Sequence, residues 1–430
     1  MRKLLSGMAV LLVVTGCTTQ GEPTAVPVEL PQQTLLASSM RAQPVAGWTV
    51  TVADLGLPPG TTLKPIGSIG SRGLFVGITD DGWWLLGIDV RNGQRTFGPV
   101  RLGAVGEAAA FNCYVNGPPD VLCVRQEQEL AVPGTAWVID TDSGEITYEG
   151  PTDVKVAWAQ DRPRLEPIGD RVVATLENQG LHGVGSRGEL TWFVPGDGIL
   201  PAQFAFWDHD TRRPALAVQG TASGADVVFS TVDGAVITPS LPPDVRLRRA
   251  VVYPGGFGYE YSDGGSDFVA FFDETGARRG EPIAAEGLET RSLDVPMVRT
   301  PAAYRVMASE GRQLLELPRT DTSPHARLIG SRLFVAQDQA NREWQEFDLN
   351  TGERGRTCGS RNLGFDYVGT DGVVTVTRGD GILARGVDLT TCDTLWTLPG
   401  SQEHVTEVWR VGTTLVQRTD DTLFSLVAPG

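Results

Sequence analysis

The stretch Trp344-Gln345-Glu346-Phe347-Asp348-Leu349-Asn350-Thr351-Gly352 decides the fold. Its first half mixes bulky apolar and polar side chains over the length of a half-buried strand. Asp348 then offers a carboxylate to cap a turn, and Gly352 supplies a positive φ without a Cβ clash. A single phrase of this kind marks a hairpin; its recurrence marks an architecture.

The phrase returns as Asp89-Val90-Arg91-Asn92-Gly93 and Asp140-Thr141-Asp142-Ser143-Gly144, and in short form as Asp273-Glu274-Thr275-Gly276. It returns again as Asp388-Leu389-Thr390-Thr391-Cys392, with Cys in the glycine place. Weaker turns fall at Gly188 and Gly234. One turn per unit gives intervals of 51, 44, 46, 42, 76 and 40 residues. Apart from the 76, each interval holds four short strands and their turns, the size of a propeller blade. Between the turns lie runs such as Leu74-Phe75-Val76-Gly77-Ile78 and Val373-Val374-Thr375-Val376-Thr377, and no amphipathic helix of ten residues emerges after Gly47. The turn aspartates are read as caps, because nothing in their spacing gathers them around a metal.

Beyond Cys392 only three strands follow, near 405–411, 414–418 and 423–426. The fourth is expected from the other end of the domain, Gly47-Trp48-Thr49-Val50-Thr51-Val52-Ala53. Pairing first strand with last closes the ring and removes two exposed edges. The expected fold is therefore an all-β propeller of eight four-stranded blades, with seven as the alternative. Residues 277–351 are left as a degenerate further blade or an insertion.

Composition sets the class. The chain has 430 residues, 41% hydrophobic, with 52 Gly and 28 Pro, which favours turns over long helices. Its net charge of −16 argues against nucleic acid or an anionic lipid surface as a general partner, since both reward a Lys/Arg excess. Only Lys3, Lys64 and Lys155 are lysine among 36 basic residues, a skew that GC-rich coding produces, as in actinobacteria.

The N-terminus sets the compartment. Arg2 and Lys3 precede an apolar stretch from Leu4 to Thr15, too short to span about 30 Å of hydrocarbon. Val14-Thr15-Gly16-Cys17 resembles the bacterial lipobox, and that resemblance implies diacylglycerol on the Cys17 thiol, cleavage before it and further acylation, for example with palmitate. Residues 1–16 are then a signal peptide, 17–46 the lipidated cysteine and a flexible Pro-rich tether, and 47–430 the propeller. The expected location is the outer side of the plasma membrane, held by lipid.

The strand–Asp-x-x-Thr-Gly–strand phrase, best seen at Trp344–Gly352 and from Gly386 to Trp396, resembles the pyrroloquinoline-quinone-type propeller repeat. That superfamily includes quinoprotein dehydrogenases and the lipoprotein propeller subunit of the outer-membrane-protein assembly machine. The resemblance implies the fold and leaves the function open.

Cys113, Cys123, Cys358 and Cys392 make an even number in an exported chain, which suggests two disulfides. If Val115 faces Val121 across the turn at 116–120, Cys113 faces Cys123. Cys358 and Cys392 lie about one blade apart, on an outer strand and at the next outer turn. Four scattered histidines and no Cys-x-x-Cys argue against zinc. No Gly-x-Ser-x-Gly, His-Glu-x-x-His or phosphate loop occurs. The run Trp207-Asp208-His209-Asp210 could hold a general base but suits a solvated loop better. The tryptophans, including Trp83, Trp84, Trp158, Trp192, Trp207 and Trp344, are expected to pack blades. No cofactor, metal or catalytic residue is assigned. The resulting expectation is a non-catalytic, membrane-tethered propeller that binds a protein or other cell-envelope component. The alternatives are a quinone- or metal-dependent oxidoreductase or a hydrolase, and a solute or glycan sensor.

Overall fold

The computed structural model describes residues 29–104, 108–157, 161–201, 209–320, 324–338, 340, 343–359, 363–364, 366–379, 381–401 and 403–430. The signal peptide, Cys17, Trp158, Trp207 and Asp208 lie outside them. The described residues form strands and no helix.

The strands build nine consecutive antiparallel sheets. β1 (Val45–Thr51) belongs to the last of them, and blade 1 runs from β2 (Thr62–Ile69) through β3 (Arg72–Ile78) and β4 (Trp83–Asp89) to β5 (Arg95–Arg101). Blade 2 spans β6 (Ala108–Val115) to β9 (Ile146–Thr152), and blade 3 spans β10 (Arg164–Ile168) to β13 (Leu190–Pro195). Blade 4 shows two paired strands, β14 (Leu216–Gln219) and β15 (Val227–Ser230). Blade 5 spans β16 (Arg246–Tyr253) to β19 (Arg278–Ala284), blade 6 β20 (Gly287–Leu288) to β23 (Gln313–Pro318), and blade 7 β24 (Ala326–Ile329) to β27 (Arg354–Cys358). Blade 8 spans β28 (Tyr367–Thr370) to β31 (Thr394–Pro399), and blade 9 holds β32 (Thr406–Val411), β33 (Thr414–Thr419) and β34 (Thr422–Val427) with β1.

Eight sheets are four-stranded, the number expected, and the two-stranded sheet of blade 4 brings the ring to nine. The difference arises in the long interval before Gly352. It contains blade 6, whose first two strands have only two and three residues and whose outer turn carries Gly311 without a capping Asp.

Closure is as expected. β1 pairs antiparallel with β34, Val50 opposite Leu423 and Thr51 opposite Thr422. Val50 and Val52 then share one core with Phe75, Leu86 and Ile88 of blade 1 and Val411, Val416 and Leu423 of blade 9. Every other core cluster is likewise shared by neighbouring blades, as between Cys113, Val121 and Trp137 of blade 2 and Leu74, Leu85 and Phe97 of blade 1. Burying each large apolar side chain contributes about 1.5–3 kcal/mol, so the seams, not the single sheets, hold the ring.

Alternation of strand direction puts the first-to-second and the third-to-fourth turns of every blade on one face. The capped aspartate turns all lie there.

Candidate functional site

Each turn aspartate holds its own turn. Asp140 Oδ1 accepts the amides of Asp142 (2.8 Å) and Ser143 (2.9 Å). Asp348 Oδ1 takes those of Asn350 (2.8 Å) and Thr351 (3.2 Å), and Asp388 Oδ1 those of Thr390 (2.7 Å) and Thr391 (2.8 Å). Donors of this kind favour the charged form. The guanidinium and amide of Arg91 bring Asp89 down to about 2. The glycine place requires a left-handed backbone, φ 76° at Gly93, and Cys392 adopts it too at 70°.

These turns also receive the neighbouring blade. The Trp48 ring packs on Gly93, where a Cβ would stand 2.8 Å from it, and its Nε1 donates to Val90 O at 2.8 Å. Trp192 does the same at Gly234, with Nε1 donating to Val232 O at 3.2 Å, and Phe97 lies against Gly144. A signal for this contact is in the sequence and was missed. Phe97, Trp192 and Trp396 each stand four places after the turn's closing residue (Gly93, Gly188, Cys392). Trp83, Trp137 and Trp344 are buried, so these tryptophans pack blades as expected.

The four cysteines pair as expected. Cys113 and Cys123 are opposite residues of β6 and its neighbour in blade 2, with Val115 opposite Val121, and they form a disulfide. Cys358 at the end of β27 is bonded to Cys392 in the turn of blade 8, which joins two blades covalently.

The tether expectation needs correcting from residue 29 onward. Residues 29–44 lie strapped over the Asp-turn face. Gln32 O accepts the Arg212 amide (3.2 Å), and Thr34 N donates to Asp210 O (2.7 Å). The Gln33 amide exchanges two hydrogen bonds with the Gly330 backbone (2.9 and 2.8 Å). Leu36 N then donates to Thr370 O and Ala37 N to Thr413 O, at the turns of blades 8 and 9. Leu36 and Met40, 5% and 0% exposed, fill the seam between those blades with Val376, Trp396 and Val408. Met40 N donates to Asp371 Oδ2 (2.6 Å), and Met40 O accepts the Trp396 indole (2.7 Å). Here the strap takes the place of the turn that blade 9 lacks. The composition suggested a free linker; two well-placed apolar side chains decided otherwise.

Beside the strap a buried polar network crosses the centre of the ring. Asp210 pairs with Arg410 and accepts the Tyr367 hydroxyl at 2.5 Å, while Arg410 also donates to Thr34 O. Arg327 lies 3.9 Å over the Tyr367 ring. Burial raises the Asp210 carboxyl, against the pull of Arg327 and Arg410. Asp294 accepts Thr211 (2.5 Å), the Leu328 amide (2.7 Å) and His209 Nδ1 (2.9 Å). Burial alone would raise its carboxyl, but His209 and these donors hold it below the usual range. His209 and Asp210, expected in a solvated loop, instead knit blades 4, 6, 8 and 9 together. Arg410, Tyr367 and Asp294 lie 200, 157 and 84 positions from Asp210, with no local pattern to link them.

Around Glu29–Gln32 opens a cavity of about 1120 Å³, lined by the C-terminal ends of β2, β6 and β10 and by Pro254 and Gly255 after β16. Its walls mix Asp170 and Glu274 with Arg212, Arg213 and Arg279. Burial lowers Arg213 to about 9. Among the described residues no helix is long and apolar enough to cross a membrane.

An uncharacterized protein of Mycolicibacterium smegmatis (strain MKD8) is 38% identical over 434 residues, which span 93% of this chain and 88% of its own. Of solved structures, BamB from Moraxella catarrhalis superposes with a TM-score of 0.43 at 10% identity, over 90% of this chain and 100% of its own. The computationally designed Ika8 protein superposes with a TM-score of 0.37 at 14% identity, over 71% of this chain and 93% of its own. The model of the conjugation-associated 9-bladed beta-propeller domain matches residues 20–429, and the chain belongs to that family.

Proposed function

We propose that this propeller is an extracytoplasmic scaffold, anchored by lipid at Cys17, that binds a protein partner of the cell envelope in a conjugation-associated apparatus. The observation that carries the scaffold reading is the use of the ring's centre. Asp210, Arg410, Tyr367, Asp294 and His209 are turned on one another and on the strap, so their polar groups rigidify a binding platform. The lipobox-like Val14-Thr15-Gly16-Cys17 supports the anchor, and the matched family supports the kind of apparatus. The test is crosslinking in native membranes, wild type against Cys17→Ala. The wild type is expected in the detergent phase with a reproducible crosslinked envelope protein, and the variant is expected to leave that phase. Unchanged partition of Cys17→Ala would sink the anchor, and a wild type that crosslinks to no envelope protein would sink the scaffold.

A further inference from the structure

We propose that the open end of the seam between blades 8 and 9 is a binding pocket for a singly charged carboxylate carried on an apolar body, with Arg378 receiving the carboxylate. The pocket stands apart from the central polar network and does not depend on the scaffold reading.

This seam is closed at one end only. Leu36 and Met40 of the strap fill it on the Asp-turn side, and Val376, Ala384, Trp396 and Val408 fill its middle. On the opposite side a cavity of about 620 Å³ opens between the second-to-third turn of blade 8 and the lead into β32. Pockets that hold small organic ligands are of this size. Ile382, Leu383, Val405 and Val408 give it apolar walls. Arg378 and Trp409 stand where it meets a second opening of about 380 Å³ along the innermost strands.

Three other ionisable side chains line the cavity, and each is engaged. His404 Nδ1 lies 2.7 Å from Asp420 Oδ2, Glu407 pairs with Arg418 at 2.9 Å, and Asp366 has interactions of its own. Arg378 is exposed to the cavity, and among the described residues its guanidinium has no hydrogen-bond or ion-pair partner. An arginine fork receives a carboxylate through two parallel N–H···O bonds. The walls beside it suit an apolar body, whose burial removes apolar surface from water. Asp366 and Glu407 oppose a second negative charge, which separates a carboxylate from a phosphate dianion. Two sources carry this chemistry, the C-terminal residue of an apolar polypeptide end and a free apolar acid.

The test is titration calorimetry of the full chain with octanoate, with acetyl-Leu-Val-Leu as free acid and as amide, and with inorganic phosphate. A carboxylate is expected to bind. Removing its charge in the peptide amide, or its receptor in Arg378→Gln, is expected to weaken binding about ten-fold or more. Arg378→Lys should recover part of the affinity, and Val405→Asp, which puts a like charge on the exposed rim, should weaken it. Binding of the peptide acid assigns the pocket to a chain end, and binding of octanoate alone assigns it to a free acid. Failure of both, phosphate bound as tightly as either, or full affinity in Arg378→Gln overturns the pocket. All three variants change exposed side chains, so unchanged melting temperatures tie any loss to the pocket.

Discussion

Two seams of the ring are closed by different means. Between blades 7 and 8 the chain simply runs on, and a disulfide from Cys358 to Cys392 reinforces the join, with Arg332 donating to Gly372 O at 2.7 Å. At blade 9 the join is made by residues from before blade 1 in sequence, β1 on the outer edge and the strap above it. The first seam would persist without its staple, because sequence-adjacent blades are already tethered. The second has no such tether, so it depends entirely on packing and hydrogen bonds between residues some 380 positions apart. Closure is therefore where the ring is most vulnerable.

The largest effect should come from removing β1. Deleting 45–52 opens β34 as an unpaired edge and strips Trp48, Val50 and Val52 from the core shared with blade 1. Loss of cooperative thermal unfolding, with aggregation seen by light scattering, is expected. A variant that melts like the wild type would mean that blade 9 closes on three strands. Next comes the centre. Asp210→Ala removes the buried carboxylate that the half-buried Arg410 and the Tyr367 hydroxyl share, and should cost up to about 3–5 kcal/mol, the loss typical of breaking a buried pair. Asp210→Asn should retain part of that, because the amide oxygen still accepts a hydrogen bond from Tyr367 or Arg410. In the strap, Leu36→Ala and Met40→Ala should each cost about 2–5 kcal/mol by emptying the seam of blades 8 and 9. Chemical denaturation measures all four, and a strap variant with no change would mean that residues 29–44 only rest on the ring.

The staple should matter about as much as one strap residue. Cys358→Ser with Cys392→Ser reopens a loop of 34 residues, worth about 4 kcal/mol in the chain-entropy model. Cys113→Ser with Cys123→Ser reopens only 10, worth about 3 kcal/mol. If the inner pair proved the more costly, loop entropy would not be what these bonds supply. Their pairing would then matter through the core that Cys113 and Cys123 share with Trp137 and Phe97.

What the sequence made legible follows from range. The Asp turns, the Cys113–Cys123 hairpin and the strand periodicity are local, and their chemistry is written within ten residues. Closure was also legible, because three strands after Cys392 leave a blade one short and Trp48–Ala53 has strand character. Blade 6 was obscured because its outer turn, Ala308 to Arg312, closes by backbone hydrogen bonds and has no capping Asp. The strap was obscured by its prolines, which describe the chain's stiffness and say nothing about Leu36 and Met40 finding a seam. The central network could not be read at all, since Asp210 and Arg410 acquire meaning only once nine blades bring them to one axis.

The smallest effect should come from acid, and it separates the two kinds of join. Donors in the turns lower Asp89, Asp140, Asp273 and Asp388: the Arg91 side chain for the first, the Ser143 amide for the second, the Thr275 hydroxyl for the third. For Asp388, burial would raise the carboxyl, and the amides of Thr391 and Thr390 outweigh it. An ordinary aspartate titrates near 4 in the unfolded chain, so each of these groups stabilises the fold above about pH 4. That stabilisation is lost as pH falls toward the folded value, about 2 for Asp89. The melting temperature should accordingly be level from neutral pH to about 5 and fall between about 4 and 2. Asp89→Asn should flatten part of that fall and lose a matching amount of stability at pH 7, a small one because the turn is exposed and its Gly93 and Trp48 contacts remain. The seam of blades 7 and 8 carries Asp388 beside its staple, so acid should weaken it only by loosening a turn that the disulfide still holds. At the closing seam, the Met40 amide donates to Asp371, and that join has no covalent reserve. Hydrogen exchange at pH 3 should therefore show opening of β1 and the strap before β27 and β31. The opposite order would place the weak point of the ring at blade 8.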